Sequence, residues 1–317
     1  MRRLLACALL LPLLAGGSAA GTDQPFRPRG FHNDSVHRYF PDLNSRFNAV
    51  RYGRWRALEI AWTVGITPDL DREFSSYLLS LLGDPPRYPP EPNLVAPRFA
   101  RGARPVFEAL VWGQMLEQQL ADALAAPDAT AELTRQRLAR ALDAYQRERY
   151  ALRDPDPGRA GAAADGSVIV SEAARAAPVS ARILTSGTAL FIRSAEALAG
   201  TNFGEQRWSV MDTIALFDRG FAGEFGQAPS PEPPPPEPGA EDAAALRPVS
   251  YSTSAPVVVA ISPALADQLD RLSRFRAEVF ETLVPGGVSP EARRQRDTAL
   301  RELARRYGLP AEGIGEE

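Results

Sequence analysis

Apolar residues recur along this chain every three to four positions, and from residue 45 onward that helical period is nearly continuous. It predicts helices over 45 to 64, 68 to 83, 104 to 125, 129 to 152, 180 to 199, 206 to 225, 263 to 284 and 290 to 307. The fold class that follows is all-α, a multi-helix bundle of about eight helices. Thr67-Pro68-Asp69, Ser262-Pro263 and Ser289-Pro290-Glu291 each place a hydroxyl at the N-cap and proline at the first helical position, where a missing N–H leaves nothing unsatisfied. Two Val/Ile runs break the pattern. Val168-Ile169-Val170 and Val257-Val258-Val259 are expected to pair as one small two-stranded β element.

Proline marks the connections. Residues 21 to 44 are polar and irregular, with Pro25, Pro28 and Pro41, and the run from Gly83 to Pro92 is expected to be an extended surface loop. Residues 228 to 247 form a Pro/Glu-rich linker whose centre, Pro231-Glu232-Pro233-Pro234-Pro235-Pro236-Glu237-Pro238, reads as a stiff polyproline II spacer. The expected organisation is thus a leader over 1 to 20, a main helical domain over 21 to 227, the linker, and a C-terminal helical hairpin over 248 to 317. Leu265, Leu269, Leu272, Val279 and Leu283 form one stripe on that hairpin. Two helices alone bury little apolar surface, so the hairpin is expected to dock on the main domain.

The leader has the parts of a secretory signal: Arg2-Arg3, an apolar run from Leu4 to Leu14, and Ser18-Ala19-Ala20 as small residues before a cut. The apolar run is too short to anchor the chain across a bilayer. Leu4-Leu5-Ala6-Cys7 resembles a lipoprotein box, but the apolar stretch continues well past Cys7. Cleavage near Ala20 predicts a periplasmic or extracellular chain with no transmembrane segment. It also removes Cys7, the single cysteine, and with it any disulfide or thiolate chemistry.

Composition narrows the chemistry further. All 36 basic residues are arginine, a usage that reads as the codon bias of a GC-rich bacterial genome. Without lysine there is no Schiff base and no phosphate-loop lysine, and two histidines leave little for imidazole catalysis. The formal charge of −3, spread as mixed Arg and Asp/Glu, offers no single-signed patch for nucleic acid. No cofactor motif is present, and none of the helices carries the paired Glu-x-x-His of di-iron bundles.

Helical projection finds ionisable groups on faces that should be buried. Arg54 falls among Phe47, Val50, Leu58 and Ala61; Glu117 among Val106, Leu110, Gly113, Leu120 and Leu124; Asp218 among Met211, Ile214, Ala222 and Phe225. An unpaired buried charge is strongly unfavourable, so Arg54 is expected to meet Glu117, Asp218 or both, either as an ion pair that sets helix register or as a polar pocket. Glu59, beside Trp55 and Trp62, is a further acid candidate, while both tryptophans read as core. Gly187 and Ser194 are expected to let a neighbouring helix approach closely. His32 and His37, with Asp34 between them, hold the donor types for a transition metal without its usual spacing.

Two functions follow as expectations. The first is a non-catalytic binding or assembly protein of the bacterial cell envelope, whose partner is another envelope protein. The second is a carboxylate-based enzyme or a metal or cofactor carrier, with Glu117, Asp218 and Glu59 arranged around Arg54 inside the bundle.

Overall fold

Proline decides where the helical period is cut. The computed structural model describes residues 34–127, 130–153, 176–200, 202–225, 250–284 and 289–315. The leader, the 228 to 247 linker, Val168-Ile169-Val170 and His32 lie outside them. Thirteen helices occur among the described residues: α1 (Ser35–Tyr39), α2 (Pro41–Thr63), α3 (Pro68–Gly83), α4 (Pro92–Val95), α5 (Pro97–Gly102), α6 (Arg104–Leu124), α7 (Ala131–Arg147), α8 (Pro178–Leu198), α9 (Phe203–Phe225), α10 (Tyr251–Ser254), α11 (Pro256–Ile261), α12 (Pro263–Leu283) and α13 (Pro290–Arg306).

The eight expected helices correspond to α2, α3, α6, α7, α8, α9, α12 and α13. The other five are six residues or shorter, too short to display an amphipathic period. They exist because a residue before proline is pushed out of the α region. Phe40, Ala96, Ala255 and Ser262, each directly before a proline, have ψ of 58°, 59°, 62° and 81°, and each is a one-residue joint between two consecutive helices.

The β element is not formed as expected. Val257-Val258-Val259 lies within α11, where Pro256 starts the helix and the Glu196 carboxylate accepts from the amides of Val257 and Val258. Tertiary capping outweighs the β propensity of three valines. Among the described residues the strand-like pairing is one isolated antiparallel bridge, Ala103 with Ile314, beside which Gly315 N–H donates to Gly102 O at 2.8 Å.

α2, α6, α8 and α12 form the inner layer. Phe47 of α2 stacks on Phe191 of α8 with ring centroids 4.2 Å apart, and Leu272 of α12 packs into the notch left by Gly113 of α6. Gly187 of α8 allows α2 to approach: a Cβ there would lie 2.4 Å from Val50. Trp55 and Trp62 are buried, and Trp55 Nε1 donates to Gln114. The α12 stripe of Leu265, Leu269, Leu272, Val279 and Leu283 is buried throughout. α13 is pinned to the end of α2 by Arg296, whose guanidinium lies 3.7 Å from the Trp62 ring and donates to Trp62 O. Of the expected N-caps, Thr67 and Ser289 accept from Leu70 and Ala292 amides, whereas Ser262 makes no side-chain cap.

Candidate functional site: a buried arginine–glutamate triad

The inner helices bring three charges together inside the bundle. Glu117 of α6 accepts from Arg276 of α12 at 3.0 Å through Oε1, while Oε2 lies 4.0 Å from Nη1 of Arg54 on α2. All three side chains are buried. Arg54 is held from the far side by α8, donating from Nη2 to Leu184 O at 3.1 Å and Thr188 Oγ1 at 2.8 Å, with Phe191 beneath its guanidinium at 5.3 Å. Tyr251 of α10 completes the wall and is fully buried. Burial, and then the Glu117 charge, push its phenol well above the usual range. Burial and the neighbouring Arg276 pull the Arg54 guanidinium well below its usual value.

Asp218 is not part of this group. It makes a bidentate pair with Arg46 at 2.8 Å for both bonds, on the partly exposed side of α9. The misplacement comes from α9 itself, which carries two apolar stripes. Val210, Phe217 and Phe221 are buried, whereas Met211, expected inside, is 57 % exposed. Arg276 is the member that the sequence reading missed. It sits on the same α12 stripe as Leu272 and Val279, so the same projection locates it.

Beside the triad runs a second polar chain. Arg51 donates to Gln118 Oε1 at 2.7 Å, Gln118 donates to Asp122 at 2.9 Å, and Asp122 accepts from Val36 N–H at 2.9 Å at the start of α1. Burial raises the Asp122 carboxyl to about 6, against the lowering effect of its hydrogen bonds to Val36 and Gln118.

Glu59, Asp71 and Glu196 share one task. Glu59 of α2 accepts from the amides of Arg98 and Phe99 at the start of α5. Asp71 of α3 accepts from Val179 and Ser180 at the start of α8, and Glu196 of α8 from Val257 and Val258 at the start of α11. These three helices begin alike: alanine at the N-cap, proline next, then two amides that need an acceptor. Alanine has no oxygen to offer, so a carboxylate distant in sequence supplies the cap and meets the positive end of the helix dipole. Asp270 does the same for Tyr251 and Ser252 of α10. Glu59 is therefore a structural cap, and an Ala-Pro pair at a helix start signals that such a cap is needed without naming the acid that supplies it.

Of the metal candidates, His32 lies outside the described residues, and His37 and Asp34 belong to no ligand group among them. His37 is half-buried, with its ring stacked on Tyr88 and Nδ1 3.3 Å from Asn44 Nδ2; Asp34 is exposed, in the left-handed region at φ 76°. Among the described residues no group of three or more His, Cys, Asp or Glu side chains could hold a metal ion, and no helix is long and apolar enough to cross a membrane.

On the surface, α9 presents Trp208, 70 % exposed, and Met211 three residues on, 57 % exposed. Residues three apart are neighbours on a helix face, so the two form one apolar patch turned away from the buried Val210, Phe217 and Phe221. No protein-family model, curated protein or solved structure matches this chain.

Proposed function

We propose that this chain is an exported helical binding or assembly protein of the bacterial cell envelope, and that the outward face of α9 is its partner surface. The observation that carries the reading is the pair Trp208 and Met211, large apolar side chains held side by side in solvent on a well-formed helix. Tryptophan and methionine are enriched where proteins meet partners. The engaged acids support the same reading: Glu59, Asp71, Glu196 and Asp270 cap helices, and Glu117 is engaged by arginine. Export rests on the leader ending near Ala20.

The test is a photo-crosslinking residue at exposed Asp212, in the native host, with the same residue at exposed Glu302 as control. A discrete adduct in the envelope fraction at position 212 only, abolished by Trp208→Asp, is expected. Equal labelling at both positions, or none, rejects the α9 face. The intact mass of the same preparation reads the N-terminus: a chain beginning at Met1 rejects export by this leader.

A further inference from the structure

The Arg54–Glu117–Arg276 triad does not balance. Two guanidiniums share one carboxylate, and arginine does not give up its proton in proteins, so a surplus positive charge sits among α2, α6 and α12. Among the described residues no neighbour removes it. Arg51 adds to the positive field at Arg54, Tyr251 is held neutral, and Asp270, the other carboxylate whose field reaches Tyr251, is occupied by the amides of Tyr251 and Ser252. Asp122 lies beyond Gln118, on the Arg51 side. Among the described residues neither Nε of Arg54 nor Nη1 of Arg276 finds a hydrogen-bond acceptor, and Glu117 Oε2 accepts no hydrogen bond, although none of the three side chains is more than 7 % exposed. A buried charge of this kind is strongly unfavourable unless paired, and guanidinium N–H groups are the usual partners of small anions.

We propose that the triad is a binding site for a small inorganic monoanion, which accepts from the free arm of Arg276 and neutralises the Arg54–Arg276 pair. One surplus charge sets the valence, and the adjacent Glu117 carboxylate disfavours anything more highly charged. The site is separate from the α9 surface and does not depend on its role.

Chloride is the probe. Thermal unfolding of the whole purified protein is compared in sodium chloride and sodium gluconate at the same ionic strength, so that screening is equal. The expected result is a midpoint about 2–4 °C higher in chloride, rising with concentration and then saturating. Arg276→Met abolishes that difference. Glu117→Gln enlarges it, because the surplus becomes two charges. Identical midpoints in the two salts for the wild type and for Glu117→Gln overturn the proposal, as does a chloride effect that survives in Arg276→Met. If Arg276→Met does not fold, anomalous scattering from bromide-soaked crystals decides: a peak beside Arg276 Nη1 supports the site, and its absence rejects it.

Discussion

Asp71 of α3 accepts both the backbone N–H and the hydroxyl of Ser180, at 2.9 and 2.6 Å, and its other oxygen accepts from Val179 N–H at 2.8 Å. One buried carboxylate thus satisfies three donors at the start of α8, a helix of the inner layer whose own N-cap, Ala177, contributes no side-chain oxygen. Asp71→Ala leaves those donors unsatisfied. It is expected to lower stability by about 3 kcal/mol in urea unfolding. Asp69→Ala, on the exposed side of the same helix, is expected to stay within about 0.5 kcal/mol. Equal effects of the two substitutions contradict the capping role.

The triad predicts strong non-additivity. Arg276→Met alone takes from Glu117 its hydrogen-bonded partner and is expected to cost about 3–5 kcal/mol, as is Glu117→Leu alone, which leaves two buried guanidiniums without a carboxylate. The triple replacement Arg54→Met, Glu117→Leu and Arg276→Met removes all the charges together, and is expected to recover most of that loss or exceed the wild type. Urea midpoints of the singles and the triple give the comparison. Unchanged stability in Arg276→Met refutes the buried Arg276–Glu117 pair.

Asp122 makes stability depend on pH. Its folded value of about 6 lies above the ordinary 3.8, so the folded state binds the proton more tightly than the unfolded chain. The contribution is therefore fully present below pH 3.8 and is lost as pH rises through about 6. That window corresponds to a fall of about 3 kcal/mol, superimposed on the titration of other groups. The difference between wild type and Asp122→Asn, followed by unfolding free energies from pH 4 to pH 7, is expected to show this slope. A pH-independent difference shows that Asp122 is not the group responsible.

Two glycines separate close packing from open space. A Cβ on Gly102 would lie 2.3 Å from Cζ2 of Trp62, a ring already held by Arg296 and by the edge of Phe99. Gly102→Ala is expected to destabilise by about 1–3 kcal/mol. At Gly83, the last residue of α3, nothing lies within 4 Å, and alanine is expected to be neutral or to stabilise by up to about 1 kcal/mol. Thermal unfolding of the two variants checks both.

Amphipathic period and proline, both local properties, determined most of the secondary structure. The long helices are legible because each shows one apolar stripe over several turns, as α6 and α12 do, and because Thr67 and Ser289 cap their own helices. Burial of Arg54 and Glu117 is legible in the same way, since each stands inside such a stripe. Only the tertiary structure decided what those charges meet. Asp218 and Glu117 look equivalent in projection, yet α9 turns its Val210 and Phe217 stripe inward, leaving Asp218 to Arg46 while Glu117 receives Arg276 from a helix far along the chain. The same holds for Val257-Val258-Val259: their propensity points to a strand, and a carboxylate from α8 caps them into a helix. A helix period states which side is apolar. The identity of the neighbour that covers it, or supplies the missing cap, is set by contacts across the chain that local pattern does not encode.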